Sequence, residues 1–334
     1  MQQIKTAVPS ARKFLINNWL VQIIIVAILA IIPFIAGRPT QNILILIFFM
    51  SVFAMSYDIL LGYTGVISFG HALFFGIGAY GISIFLANAK ATMGNVLLAI
   101  LISLVVSIII SVFIGFLSLR IKNTYYAMIT LAFAQVGVIL AEKARHITNG
   151  YDGMTFRVPS ILMNKMLFYY IALAFLVLSF LFLWKFTTSP TGRVLVAIRE
   201  NEQRAKFIGF NTLRYKIIST VVAGAMASLA GSMYAIQMRF VSTSVLGIGK
   251  TTDALLATVI GGMGNLYGAI LGTGIVNFAG EYLSKLAKVH PIFERWYIIF
   301  GLLYILIVLF APNGVLGLIN KIKYKITAKF VKTK

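Results

Sequence analysis

Long apolar runs constrain this chain more than any other feature of its sequence. A helix needs roughly 20 apolar residues to cross a bilayer, and it satisfies internally the backbone hydrogen bonds that lipid cannot make. The runs fall at about 19–36, 42–61, 67–87, 95–118, 124–141, 166–184, 216–236 and 297–311. We therefore predict an all-α polytopic membrane protein.

The composition agrees with this class. The 334 residues are 60% hydrophobic and only 11% charged, whereas soluble domains average about 45–50% apolar and about 25% charged residues. A net charge of +21 would point to nucleic acid in a soluble protein. Here the basic residues cluster at the ends of apolar runs, as in membrane proteins. We therefore expect membrane lipid, and no nucleic acid, as the partner of these charges.

The residues give no indication of catalytic or cofactor chemistry. The chain has no cysteine, which excludes disulfides, thiolate metal sites and thiol nucleophiles. Its three histidines are scattered without metal-ligand spacing. Glycine-rich stretches at 76–81 and 244–252 resemble nucleotide-binding loops but lack the surrounding strand and helix that such loops need. We predict no catalytic residue, no bound cofactor and no metal site.

The positions of the basic residues orient the predicted helices. Cytoplasmic segments of membrane proteins carry an excess of lysine and arginine. This rule places the N-terminal tail 1–18, the loop 185–215 and the basic tail 319–334 inside, and the loop 148–154 outside. The transmembrane domain is then 19–318.

A glycine-rich region at 254–286 decides how many times the chain crosses the membrane. Counted as one pass it would leave the basic tail outside, so we predict two short or re-entrant passes that split near 265–268. The total is then about eight to ten membrane segments. Small residues that repeat every fourth position, a spacing that favours close helix packing, are Ala223, Ala227, Gly231, Gly264, Gly268 and Gly272.

Residues 189–210, the charged segment, lie between two of the most apolar parts of the chain. They begin with a capping serine and a proline, Glu202 precedes Lys206 by four residues, and Gly209 can end a helix. We predict a cytoplasmic amphipathic helix, or two short ones broken near Asn201. Lipid and a protein groove are both possible partners, and the interleaved glutamates favour the protein. The residues that can share its apolar face are Leu195, Ile198, Ala205 and Ile208.

Few ionisable residues lie within the apolar regions. Because burying a charge in the membrane is costly, such residues are functional candidates. They are Asp58, His71, Asp253 and Glu281. For Asp58, an interfacial or capping role is an alternative to transport. For His71, the alternative is a neutral, hydrogen-bonded side chain that holds a helix end.

Five stretches, in order, resemble the LivM-type permeases of branched-chain amino-acid ABC importers. The resemblance spans about residues 40–318. The stretches are LLGYTGVISFGHALFFGIGAY, TNGYDGM, SPTGRVLVAIRENEQRAKFIGFNTLRYK, LLATVIGGMGNLYGAILG and LFAPNGVLGL. It implies an inner-membrane permease subunit of a bacterial importer, paired with a second related permease. Two cytoplasmic ATPase subunits and an extracytoplasmic solute-binding protein would complete the complex.

The same resemblance implies two sets of functional residues. The charged segment would be the coupling helix that docks on an ATPase, through Gly192, Arg193, Arg199, Glu200, Asn201, Glu202, Ala205 and Gly209. The resemblance also implies a solute route, and the density of glycine and small polar residues at membrane depth supports it. That route would follow Gly62, Ser68, Gly70, His71, Gly76, Gly78, Thr130, Gly261, Gly262 and Gly264.

Alternatives remain for both the substrate and the energy source. Leucine, isoleucine and valine are the expected solutes by analogy, while related permeases also take up urea and short amides. A secondary carrier or channel for a small polar solute is the alternative function. It predicts transport driven by an ion gradient and no ATPase partner. A membrane-embedded enzyme is less favoured, because no acid/base pair or metal cluster has catalytic spacing.

Overall fold

The computed structural model describes residues 19–119 and 123–286, together with residues 298, 301, 302, 304, 305, 309 and 314–317. The predicted tails and most of the apolar run at 297–311 lie outside the described residues. Almost all of the described chain is helical, and its two strands are each two residues long.

The helices follow the predicted apolar runs closely. In chain order they are α1 (Trp19–Ile35), α2 (Arg38–Asp58), α3 (His71–Asn88), α4 (Met93–Ser118), α5 (Asn123–Lys143), α6 (Arg145–Thr148), α7 (Ser160–Met163), α8 (Lys165–Thr188), α9 (Pro190–Glu200), α10 (Glu202–Phe207), α11 (Thr212–Met238), α12 (Ile248–Gly261) and α13 (Leu266–Leu286). A π-helical turn, Ile59–Thr64, continues α2. The strands are β1 (Met154–Thr155) and β2 (Phe240–Val241).

Six of the described helices are long and apolar enough to cross a membrane: α2 with its π-helical turn, α3, α4, α5, α8 and α11. Helices α12 and α13 form a seventh candidate, bent by 114° at a short break. This confirms the all-α polytopic fold. The break lies at 262–265, at the edge of the region where the sequence predicted it. The expected total of eight to ten segments depends partly on residues outside the described ones.

The core forms around α2, α3, α4 and α11, where small side chains let the helices approach closely. Ser107 Oγ on α4 donates to the Gly224 carbonyl on α11 at 2.9 Å. Ser232 Oγ on α11 donates to the Gly78 carbonyl on α3 at 3.1 Å. The predicted packing positions on α11 that are buried in this core are Ala223, Ala227 and Gly231.

The charged segment lies at one end of helices α8 and α11, and the loop that contains TNGYDGM lies at the other end. β1 pairs antiparallel with β2, so the loop before α8 meets the loop after α11. Helices α9 and α10 join the opposite ends of the same two helices. The charged segment and the 148–154 loop therefore lie at opposite ends of the bundle, as the predicted topology requires.

Candidate functional site

The charged segment folds as two short helices, α9 and α10, which meet at Asn201. Ser189 Oγ accepts a hydrogen bond from the Gly192 amide at 3.3 Å and caps α9. Asn201 Oδ1 accepts from the Arg204 amide at 2.9 Å and caps α10. The chain then leaves the second helix at Gly209, whose φ of 96° suits glycine. These local contacts confirm the predicted start, break and end.

One face of the charged segment packs against the membrane domain. Leu195, Ile198 and Ala205 are 0%, 3% and 3% exposed, as the apolar spacing predicted. Ile208 differs, because 68% of it is exposed. Helix α10 ends at Phe207, so Ile208 already belongs to the turn and leaves the buried face.

Glu202 fixes α10 to the first turn of α11. Its Oε2 lies 2.7 Å from Lys216 Nζ, and its Oε1 lies 3.1 Å from Lys206 Nζ. Thr212 Oγ1 donates to the same carboxylate at 3.1 Å. Partial burial alone would raise the pKa of Glu202, but the hydrogen bonds from the two lysines outweigh it and lower that pKa. The Lys216 side chain is 5% exposed, so it depends on this carboxylate for its partner.

Arg199, at the end of α9, reaches into the membrane domain although much of its side chain is exposed. Its Nη1 donates a hydrogen bond to the Gly62 carbonyl in the π-helical turn. A Cβ built at Gly65 would lie 2.9 Å from Arg199 Cγ, so the backbone after α2 runs directly beneath this side chain. Arg199, which was expected among the residues that contact the ATPase, therefore also contacts its own membrane domain.

The helix break, residues 262–265, is held by a carboxylate from α2. Asp58 is fully buried, and its Oδ1 accepts a hydrogen bond from the Gly264 amide at 2.8 Å. Gly262 and Gly264 have φ values of 118° and 76°, which L-residues with a side chain rarely adopt. A Cβ at Gly62 would overlap both Asp58 Oδ1 and the Gly264 amide. Asp58 therefore makes a buried structural contact with the turn between α12 and α13, and its side chain does not cap the π-helical turn.

His71 begins α3 inside an aromatic cluster. Its Nε2 is 2.8 Å from Ser56 Oγ, and its ring stacks on Phe53 with centroids 5.3 Å apart. The side chain is fully buried. The structure thus supports the predicted hydrogen-bonded histidine at a helix end.

The remaining residues of the expected route serve contacts between elements. Thr130 Oγ1 accepts from the Phe69 amide at 3.2 Å, and a Cβ at Gly70 would overlap the Thr130 carbonyl. Ser68 is buried in the same loop. Glycines that a Cβ would push into a neighbouring helix or loop are Gly76 against Leu246, Gly78 against Ser228 and Gly261 against Gly268. Of the expected route, Gly62, Gly261, Gly262 and Gly264 lie together at the helix break.

The outer face of the charged segment carries a feature that the sequence analysis missed. Phe207 is 88% exposed beside the exposed Ile208. Arg193, Glu200 and Arg204 are also exposed. Next to this face, a groove of about 420 Å³ lies between α10 and the start of α11. The sequence signal for this exposed apolar patch was the Phe207-Ile208 pair among charged residues.

A second cleft, of about 290 Å³, opens at the other end of the bundle between α2, α11, α12 and α13. Lys250 Nζ lies 3.9 Å from Asp253 Oδ2 and 5.1 Å from the centre of the Tyr234 ring. Glu281 also lines the cleft. Asp253 and Glu281 were both predicted as functional candidates, but nothing in the sequence predicts that they line the same cleft. Among the described residues, no group of three or more histidine, aspartate or glutamate side chains could hold a metal ion.

Comparison with known proteins identifies the relatives of the chain. A family model described as "Branched-chain amino acid transport system / permease component" matches residues 40–309. The permease protein LivM of the high-affinity branched-chain amino acid transport system of Escherichia coli K12 is 24% identical over 313 residues, covering 85% of this chain and 71% of LivM.

Two further relatives carry similar names. The branched-chain amino acid permease protein BraD of Pseudomonas aeruginosa is 27% identical over 289 residues, covering 80% of this chain and 91% of BraD. The permease protein LivH of the E. coli K12 system is 31% identical over 129 residues, covering 39% of this chain and 40% of LivH. No solved structure matches the chain.

Proposed function

The chain belongs to the family of permease components of branched-chain amino acid transport systems, and on that premise we propose the partners, energy source and solute of its transport. It is a multi-pass permease subunit of an importer in the bacterial inner membrane, and not an enzyme. It forms, with a second related permease, the path for a branched-chain amino acid or a similar small solute. Separate cytoplasmic subunits hydrolyse ATP, and a binding protein delivers the solute.

The observation that carries this proposal is the two-sided packing of the charged segment. One face is anchored to α11 and to the π-helical turn, while the other presents Phe207 and a rim of charges. An exposed aromatic side chain surrounded by polar residues is typical of an anchor in a protein interface. Anionic lipid would pair with the basic residues but not with the interleaved glutamates, whereas a protein groove can present partners of both signs.

The structure divides the eight residues expected to contact the ATPase. Four are exposed, and we retain them as contacts: Arg193, Glu200, Asn201 and Gly209. Gly192 and Ala205 are buried, Glu202 is bonded to Lys216, and Arg199 donates to the Gly62 carbonyl. These four position the segment. Phe207, Ile208 and Arg204 join the proposed docking surface.

The second permease is proposed from the relatives. E. coli K12 has both a LivM and a LivH permease protein in its branched-chain amino acid system, and this chain resembles both. The binding protein is expected at the opposite end from the charged segment, where β1 and β2 join two loops. The cleft with Lys250, Asp253 and Glu281 lies at that end. Its charges of both signs suit a zwitterionic solute.

The function is tested with the complete complex in proteoliposomes. We expect radiolabelled leucine, presented with the cognate binding protein, to accumulate only when the ATPase side receives ATP. An imposed proton or sodium gradient without ATP should drive no uptake. Uptake that follows the ion gradient and ignores ATP would instead establish the secondary-carrier alternative.

A further inference from the structure

We propose that Arg199 acts inside the permease as a latch, which holds the helix break closed until the charged segment moves. The latch consists of Arg199, Gly62, Asp58 and Gly264. The inference rests on the proposed function and deepens it, because it names the residues through which movement at the ATPase surface reaches the solute route.

The Arg199 guanidinium lies between the π-helical turn and the helix break. Its Nη1 donates to the Gly62 carbonyl of the π-helical turn. A Cβ at Gly264 would lie 2.9 Å from the same Nη1 and 3.0 Å from the Gly62 carbonyl oxygen. One nitrogen therefore sits where the end of α2 meets the turn between α12 and α13.

The chemistry of the helix end explains why an arginine occupies this place. The last carbonyls of a helix lack partners within the helix, and the C-terminal end of its dipole attracts a cation. Gly62 lies in the last turn before Gly65 ends the helix. The Arg199 guanidinium supplies both the missing donor and the positive charge.

The buried carboxylate makes the latch sensitive to the position of Arg199. Asp58 is fully buried, and its Oδ1 holds the Gly264 amide. Arg199 Nη1 bonds the Gly62 carbonyl beside this contact, and a Cβ at Gly62 would overlap both Asp58 Oδ1 and the Gly264 amide. Withdrawal of the guanidinium would therefore leave Asp58 alone to hold Gly264 against the π-helical turn, and the closed arrangement would weaken.

Two features make the arrangement movable. Arg199 is the penultimate residue of α9, whose neighbouring Glu200 faces outward where a docked protein can pull on it. The break contains two glycines with positive φ, Gly262 and Gly264. A few such positions are enough to absorb a hinge rotation.

The test measures access to a residue behind the latch. Thr258 is fully buried, on the last turn of α12 before the break. Since the chain has no cysteine, Thr258→Cys provides the only thiol of the permease. The complete complex is studied in inside-out vesicles without ATP or solute, with a membrane-impermeant maleimide as the probe.

With Arg199→Ala added, we expect the thiol to react about tenfold faster, which equals 1.4 kcal/mol, close to one hydrogen bond from a charged group. Arg214→Ala is the matched control, because it removes an exposed arginine at the start of α11 that belongs neither to the latch nor to the proposed docking surface. Pull-down of the ATPase should be unchanged by Arg199→Ala. Equal reaction rates in the two variants, or loss of the ATPase with Arg199→Ala, would overturn the latch.

Arg199→Lys is the second variant, because it keeps the charge but loses the planar donor group. We expect an intermediate acceleration. If neither variant accumulates in the membrane, Arg199 has only a structural role and the proposal fails. Since the measurement needs neither ATP nor leucine, its failure leaves the proposed function intact. Absence of ATP-driven leucine uptake by the unmodified complex would count against the proposed function alone.

Discussion

The two faces of the charged segment have different contacts, although residues of the two faces alternate along the same short stretch of sequence. The inner face buries Leu195 and Ala205 and ties Glu202 to Lys216 at 2.7 Å. The outer face leaves Phe207 88% exposed. Neighbouring residues of one motif therefore have separate roles. Inner residues hold the segment on the permease, and outer residues are free for a partner.

The largest effect is expected at the helix break, which lies beside Arg199 of the charged segment. Gly264→Val should destabilise the permease by about 2–6 kcal/mol, because a positive φ costs about 1–3 kcal/mol and overpacking costs about as much again. Gly274→Val on α13 is the control, since a Cβ there meets no atom within 4 Å. Thermal unfolding in detergent measures both. Equal midpoints for the two variants would contradict the tight closure at the break.

Substitutions on the outer face should weaken ATPase binding and leave the stability of the permease nearly unchanged. Phe207→Ala is expected to weaken ATPase binding by about 2–4 kcal/mol, as for an interface anchor, and to change unfolding by no more than about 0.5 kcal/mol. Co-purification and thermal unfolding are measured on the same preparations. Phe278→Ala on α13, also partly exposed, is the control. Normal ATPase recovery with Phe207→Ala would remove the aromatic anchor from the docking surface.

Two glutamates allow the two faces to be compared directly, because Glu202 belongs to the inner face and Glu200 to the outer face. Glu202→Ala leaves the buried Lys216 without its carboxylate and should cost about 1–3 kcal/mol of stability. Glu200→Ala removes an exposed carboxylate two residues earlier and should cost no more than about 0.5 kcal/mol. Thermal unfolding at neutral pH compares them. If both variants unfold at the same temperature, the two-face distinction is wrong for this pair.

Acidification gives the smallest expected effect. The pKa of Glu202 is lowered from its ordinary value of 4.5 by the hydrogen bonds from the two lysines, so the stability that the ionised carboxylate contributes is present above that pH. The contribution is lost as pH falls from 4.5 through the lower folded pKa. Wild type and Glu202→Gln should therefore differ at pH 7 and converge on acidification. A difference between their unfolding midpoints that is constant with pH would contradict the ion pair with Lys216.

Much of this architecture follows from local physics that a sequence displays. The apolar runs, the cap at Ser189, the break at Asn201 and the end at Gly209 each depend on residues a few positions apart. The bend of α12 and α13 followed from counting charges and crossings. The family was recognisable because its motifs occur in order along the chain.

The contacts across the latch and the ion pair were decided only by the tertiary structure. Asp58 meets Gly264, which lies 206 residues away, and Arg199 meets Gly62, which lies 137 residues away. The partner of Glu202 is Lys216 as well as the predicted Lys206. Periodicity and caps report which face of a helix is apolar. They do not report which distant helix covers that face, because many helices offer equally apolar surfaces and only packing the whole bundle selects one.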